Sequence, residues 1–355
     1  MILKVWRYAY GGAKVMALRS FLLSPDDYHY LLRARNLEDL VGYLRTTAYG
    51  PTLSGWDWHR ADAEAEVSRR LYGNLAQVFL KVRRGLKKRE SRFLDLLLYR
   101  LVAENLKVVL RALNRRLDPV AAAERLLPLT ALSSLDFQAM LRQESIPRLV
   151  DFLAHTVWGP PLAKGLFRFE REANLFPLEM SLDLFVYASL WQGLDGLSRA
   201  DRRIARDILG TLADITNITW TVRFRNIYGF PPEETYQYLL EAGSFISPAA
   251  RHDLAFAADT GEMILRLPRR SYSELLQGAG DRAEVETRLR GHWMAVLSKG
   301  LARPPFQIGL PITFLFFKEL ELDNLLTLIT GMLLDLPSER VAPWLWRRVA
   351  GGGHV

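Results

Sequence analysis

The sequence predicts an all-α fold in which one helical unit is written three times. Apolar residues recur at intervals of three and four over most of the chain, as in Leu94, Leu97, Leu98, Leu101, Leu106, Val109 and Leu113, and again in Leu182, Phe185, Val186, Leu190 and Leu194. That spacing places them on one face of a helix, whereas few stretches alternate as strands do. Pro and Gly fall mainly between the periodic segments, where helices start and stop. The third observation is that three short patterns recur in one order along the whole chain.

The first pattern is Thr47-Ala48-Tyr49-Gly50-Pro51-Thr52-Leu53, which returns 109 positions on as Thr156-Val157-Trp158-Gly159-Pro160-Pro161-Leu162. Each copy follows an apolar helix-like segment, 37–44 and 146–153. A weaker third copy, Arg270-Ser271-Tyr272-Ser273-Glu274-Leu275-Leu276, lies a further 114 positions on and lacks the Gly-Pro. In the second pattern an acid precedes an aromatic by about two helical turns: Glu64 with Tyr72, Glu179 with Tyr187, and Glu286 with Trp293. The third is an Asn in a long apolar helix, at Asn105, Asn217 and Asn324. Each is followed 13 or 14 residues later by a proline suited to open the next helix, at Pro119, Pro231 and Pro337, and then by Glu124, Glu233 and Glu339. Asp214 and Glu321 stand three residues before their Asn, where the first copy has Val102; Arg111 and Arg223 stand six after. An Asn in such a setting either pins packing through hydrogen bonds or lines a mouth shared by three units, and both readings stay open. The repeats divide the chain into units 1–127, 128–243 and 244–355. Each is too long for a solenoid repeat and is expected to form a small helical bundle around its own core.

Composition closes several functional classes. With 355 residues, 49% hydrophobic and 24% charged, the chain is expected to be ordered around a large core. The absence of cysteine excludes disulfides, thiolate metal sites and cysteine nucleophiles. The six histidines, His29, His59, His155, His252, His292 and His354, show no spacing of helical metal ligands, so no metal site is expected. Gly278-Ala279-Gly280 lacks the strand and third glycine of a dinucleotide fingerprint, Gly11-Gly12-Ala13-Lys14 lacks the pattern of a phosphate loop, and no Gly-x-Ser-x-Gly elbow is present. Neither a cofactor nor a catalytic residue is expected. Lys4 and Arg7 break up the start of the chain, so no signal peptide is read and a cytoplasmic location is expected. Uncharged apolar stretches such as 308–317 fall short of the about 20 residues that span a bilayer.

The net charge is +8, and one segment concentrates it: Lys81, Arg83, Arg84, Lys87, Lys88, Arg89 and Arg92, relieved only by Glu90. Such a run is either a solvated helix face or a patch that contacts an anionic surface, such as lipid headgroups. Aromatic residues do not interleave with it, which weakens a reading as a single-strand nucleic-acid site. A basic all-helical nucleic-acid-binding protein remains the alternative on charge alone, and an all-α enzyme with unrecognised carboxylates is a third reading.

Taken together, these elements resemble the V-type/A-type ATPase C subunit family, which includes the d subunits of the vacuolar pump. Tyr8-Ala9-Tyr10 with Arg19 and Leu22-Leu23-Ser24 looks like the family's opening, followed by the turn at Thr47 to Tyr49. Leu178-Glu179 through Asp183 and Tyr187 looks like its middle repeat, and Asp214-Ile215-Thr216-Asn217-Ile218 with Arg223 like its acidic–Asn–apolar helix. Pro311, Lys318-Glu319-Leu320-Glu321, Asn324-Leu325, Gly331 and Leu336-Pro337 look like its C-terminal signature. The resemblance implies three similar helical-bundle domains around a pseudo-threefold axis, forming a funnel. It implies a non-catalytic, peripheral member of the central stalk at the cytoplasmic face, one copy per complex. Its partners would be the rotor shaft subunits and the membrane ring of small ion-carrying subunits, with no nucleic acid. On this reading Tyr49, Gly50, Pro51, Trp158, Gly159, Pro160 and the three Asn residues are structural, and the basic run is the candidate anionic-surface contact.

Overall fold

The computed structural model describes residues 2–57, 59, 63–268 and 272–346, with side chains from residue 8 onward. Arg270 and Ser271 of the weak third turn, and His354, lie outside the described residues. Among these residues all regular structure is helical. After α1 (Ile2–Arg19), a first run comprises α2 (Pro25–Arg33), α3 (Leu37–Arg45), α4 (Gly50–Leu53), α5 (Ala63–Arg84), α6 (Lys88–Leu97), α7 (Tyr99–Asn114) and α8 (Pro119–Ala123). The second holds α9 (Phe137–Leu141), α10 (Ile146–Phe152), α11 (Gly159–Glu172), α12 (Phe176–Gly193), α13 (Arg199–Asn226) and α14 (Pro232–Tyr238). The third holds α15 (Pro248–Ala255), α16 (Thr260–Arg266), α17 (Glu274–Leu276), α18 (Arg282–Leu301), α19 (Gly309–Leu333) and α20 (Ser338–Val341).

The same local devices start and stop corresponding helices. Ser24, Asp136 and Ser247 cap α2, α9 and α15, and Asn36, Ser145 and Asp259 cap α3, α10 and α16. In each case a side-chain oxygen accepts the backbone N–H three residues on, satisfying a donor that the first turn would otherwise leave unpaired. At their far ends, the helices carrying the repeated Asn run into a left-handed residue, Arg116 (φ 51°), Gly229 (φ 64°) or Asp335 (φ 50°). Prolines at 119, 231 and 337 then turn the chain into the next short helix.

Gly11 and Gly12 set the position of α1. A Cβ on Gly11 would collide with the Gly85 carbonyl, and one on Gly12 with the Pro305 carbonyl. Two adjacent glycines therefore let α1 lie directly on two inter-helix turns of other runs, a packing role for a pair that carries no phosphate motif.

The expectation that each unit buries its own core is corrected by the packing. One cluster of buried apolar side chains extends from Tyr8 to Leu345 through all three runs, and a second joins Ile218 and Val222 of α13 to Leu254, Met263, Tyr272 and Leu289 of the third run. The reason is the pairing of the long helices: α5 packs on α19, α12 on α6 and α7, and α18 on α13. Each run thus lends its acid-bearing helix to the preceding run's Asn helix, and the first lends its own to the last. Burying a Leu or Phe side chain contributes roughly 1.5–3 kcal/mol, so these shared faces hold the runs together more strongly than any polar contact between them. α19 is buried on nearly every side. Even so, no helix among the described residues is long and apolar enough to cross a membrane.

Candidate functional site

The motifs read from the sequence converge on three boundaries between runs. The Thr-x-Tyr/Trp turns are built alike. Thr47 Oγ1 donates to the Leu44 carbonyl at 2.7 Å and accepts from Tyr49 N–H at 3.2 Å; Thr156 does the same with Leu153 at 2.7 Å and Trp158 at 3.1 Å. The next residue must be glycine in both, because a Cβ on Gly50 or Gly159 would press on the carbonyl of Arg45 or Leu153. The turn aims its aromatic ring inward: Tyr49, Trp158 and Tyr272 are all buried.

Each ring lands on the Asn helix of the preceding run, with Tyr49 landing on that of the last. The Tyr49 hydroxyl donates to Glu321 Oε1 at 2.8 Å. Lys318 Nζ donates to Glu321 Oε1 at 2.9 Å and to the Tyr49 hydroxyl at 2.7 Å, and Leu23 N–H donates to Glu321 Oε2 at 2.6 Å. The Tyr272 hydroxyl donates to Asp214 Oδ2 at 3.3 Å, and the same carboxylate accepts the backbone N–H of Ser244, Phe245 and Ile246 at 3.1, 2.9 and 3.1 Å. Burial pushes the Asp214 carboxyl up, with the three N–H bonds pulling against it. Burial, then the neighbouring carboxylate, also holds both tyrosine hydroxyls well above their ordinary value, so each stays a donor.

The third boundary has neither partner. Val102 stands for the acid, and Trp158 replaces the tyrosine, its indole tilted against Tyr99 and edge-on to Phe185 with ring centres 5.1 and 5.3 Å away. The incomplete first copy in the sequence is therefore a matched double replacement. A cavity of ≈ 630 Å³ opens there, lined among others by Val102, Trp158, Arg83, His155 and the loop before α9. In that loop Leu135 N–H, without a carboxylate to meet, is accepted by Ser133 Oγ at 3.2 Å.

A second set of pairs crosses the same boundaries. Arg111, six residues after Asn105, is bidentate to Glu179 at 2.7 Å in both arms; Arg223, six after Asn217, donates to Glu286 at 3.1 Å. Thr330, six after Asn324, donates to Glu64 at 3.3 Å. The acids of the second sequence pattern thus answer the residues that follow the Asn of the third, each in another run.

The three Asn residues are buried and face the chain rather than a shared mouth. Asn105 Nδ2 donates to the Leu127 carbonyl at 3.0 Å and its Oδ1 accepts Leu127 N–H at 2.7 Å. Asn217 holds Leu240 in the same way at 3.1 and 2.7 Å, and Asn324 Oδ1 accepts Trp346 N–H at 2.7 Å. The gripped residue lies 22 or 23 positions on in every case, just past the proline-led short helix.

Between the long helices lies a polar cluster that the sequence reading did not find. Arg100 of α7 pairs with Glu319 of α19 at 2.8 Å, Lys107 of α7 with Asp183 of α12 at 2.7 Å, and the Tyr187 hydroxyl bonds Thr216 of α13 at 3.0 Å. Loss of solvent and the neighbouring Glu319 charge push Asp323 up to about 6. Burial, then Asp323 and Glu319, push Tyr72 up to about 12. A sequence displays directly only partners at i, i+3 and i, i+4, whereas Glu319 and Asp183 lie in other runs from Arg100 and Lys107, and Thr216 lies 29 positions from Tyr187.

The basic run lies at the corner from α5 into α6. Arg83 is held by Asp95 and Glu90 is buried, whereas Lys81, Arg84, Lys87, Lys88, Arg89 and Arg92 are exposed.

Comparison with known proteins places the chain in a family. A family model described as ATP synthase (C/AC39) subunit matches residues 12–342. The chain is 24% identical to the C subunit of the A-type ATP synthase of Methanocaldococcus jannaschii, over 96% of this chain and 86% of that one. It is 24% identical to the protein of the same name from Archaeoglobus fulgidus, over 95% and 94%, and 21% identical to that of Pyrococcus furiosus, over 99% and 92%. The chain belongs to the ATP synthase (C/AC39) subunit family, as a non-catalytic subunit of an A/V-type ATPase.

Proposed function

We propose that the chain is the central-stalk adaptor of its rotary complex. Units 1–127, 128–243 and 244–355 stand around a pseudo-threefold axis as a funnel. The centre takes the foot of the rotating shaft, and one end rests on the membrane ring of small ion-carrying subunits at its cytoplasmic face. Torque then passes through the chain, which has the threefold arrangement within itself and serves as one copy per complex.

The observation that carries this reading is the cyclic order of the boundary contacts. The first run's Tyr49 meets the third run's Glu321, the third run's Tyr272 meets the second run's Asp214, and the second run's Trp158 stands beside the first run's Val102. The Arg111–Glu179, Arg223–Glu286 and Thr330–Glu64 contacts follow the same circuit. A circuit closed in this way resists twisting, because no run can rotate without breaking buried contacts on two sides. The acid excess of the polar cluster supports the socket: Glu104, Asp183, Glu319 and Asp323 outnumber Arg100 and Lys107, which suits a cationic segment of the shaft.

The cysteine-free sequence makes the test direct. Asp323→Cys and Lys88→Cys would each be introduced into the complete membrane complex and coupled to neighbours with a short bifunctional reagent. Asp323→Cys is expected to capture a shaft subunit, and Lys88→Cys is not. Capture of ring subunits alone by Asp323→Cys, or of no other protein of the complex, refutes the reading.

A further inference from the structure

We infer that the three corners where α5 meets α6, α12 meets α13 and α18 meets α19 form one basic end of the molecule, and that this end binds the anionic headgroup layer of a membrane. The contacts of the turns gather the corners. α1 lies on the Gly85 and Pro305 carbonyls through Gly11 and Gly12, which joins the first corner to the third. Ile308 N–H donates to Asp201 at 3.2 Å, joining the third to the second. Gly193 lies against Leu96 and Phe93 of α6, which seats the second corner on the helix that leaves the first.

Each corner exposes cations and hides or pairs its acids. The first exposes Arg84, Lys87, Lys88 and Arg89, with Glu90 buried. At the second, Arg199 and Arg203 are exposed, Asp201 is buried and Asp195 pairs with Arg202. The third exposes Lys299, with Arg303 half-buried. The sequence shows only the first of these as a run; the other two are short and become part of a patch because the fold brings the corners together. Aromatic rings join the cations there: Phe306 is 36% exposed, and Tyr10 is 68% exposed with Lys14 Nζ 5.6 Å above its ring, Lys14 itself lying against Gly85. Cations mixed with half-exposed rings match the headgroup level of a bilayer, where the charge meets phosphate and the ring meets the acyl boundary. Three separated corners also present charge over an area, as a leaflet does, rather than along the continuous groove that tracks a nucleic-acid strand.

This inference deepens the adaptor reading by naming the end that meets the membrane, and its test uses the purified chain without other subunits, so either can fail alone. Flotation would be measured with phosphatidylcholine vesicles, with and without phosphatidylglycerol. Binding is expected only with phosphatidylglycerol and is expected to weaken with salt. Each corner cation lost should lower affinity about fivefold. The triple variant Lys88→Gln, Arg203→Gln, Lys299→Gln should therefore lose about a hundredfold. A control triple, Arg125→Gln, Arg142→Gln, Lys164→Gln, removes the same charge elsewhere and should lose less than about twofold. All six side chains are exposed, and unchanged far-UV circular dichroism would verify folding. Equal losses in both triples would reduce the effect to net charge and overturn the inference. So would binding indifferent to phosphatidylglycerol, or corner-dependent binding to an RNA or DNA oligonucleotide that exceeds binding to vesicles.

Discussion

Replacing Asn217 by Ala removes both arms of an amide pair that fastens α13 to the chain 23 residues on. Asn217 is fully buried and Leu240 is 2% exposed, so water cannot take over either bond. Each lost bond costs about 1 kcal/mol net, and each stranded buried group costs about 1–3 kcal/mol in desolvation, which gives on the order of 2–5 kcal/mol for the pair. That is a large part of the roughly 5–15 kcal/mol by which folded proteins are stable. Urea unfolding followed by far-UV circular dichroism would read it as a lower midpoint with little change in slope. Asn105→Ala should behave alike, since Asn105 grips Leu127 with the same two bonds. Asn217→Asp keeps the acceptor for Leu240 N–H and loses only the donor, so it should fall between Ala and the native chain. A loss below about 0.5 kcal/mol, the range of ordinary surface substitutions, would refute the clamp. Loss of cross-linking to the shaft with an unchanged unfolding midpoint would instead make Asn217 an interface residue.

Two further outcomes follow from the boundary geometry and the polar cluster. Asp214→Val strands three backbone N–H groups and should cost several kcal/mol, at about 1–3 kcal/mol each, whereas Tyr272→Phe removes only the 3.3 Å bond and should cost about 1 kcal/mol; equal shifts in the urea midpoint would mean that the ring alone makes the contact. Asp323→Asn should raise the melting temperature near pH 8 and leave it unchanged near pH 4. A carboxyl held at about 6 in the folded chain contributes stability below its ordinary value of 3.8, and that contribution is lost as pH rises through 6. A variant equally stabilised at both pH values would show that ionisation of the Asp323 carboxyl, disfavoured by desolvation and then by Glu319, is not the cause.

The helical class was legible because burial on one face leaves a period that sequence displays directly, and the Asn and Tyr turns were legible because they recur. The caps could also have been found: Asn36, Ser145 and Asp259 carry the same offsets as Tyr49, Trp158 and Tyr272. What sequence does not display is which run answers which. Glu179 precedes Tyr187 by two turns, yet its partner is Arg111, 68 positions away. Arg100 and Glu319 lie 219 positions apart and share no pattern. The basic run was visible, but not that Arg83 is taken by Asp95, nor that Lys299 and Arg203 belong to the same end. The shared core escaped for the same reason, since an apolar stripe looks the same whether it faces its own run or the next.

The three boundaries are not equally stiff. Two boundaries are closed by a buried carboxylate with a tyrosine and backbone donors, contacts that are directional and break sharply when displaced. The third substitutes Trp158 and Val102, whose contact is apolar and less directional than a hydrogen bond. An apolar face tolerates small sliding that a carboxylate with three or four fixed donors does not, so the first and second runs are joined by the most compliant contact of the circuit. The Arg111–Glu179 and Lys107–Asp183 bridges lie on that same boundary, the first with its Arg111 exposed and the second with its Lys107 buried, where they limit opening. Of the three joints, two therefore hold their runs in fixed register and one yields.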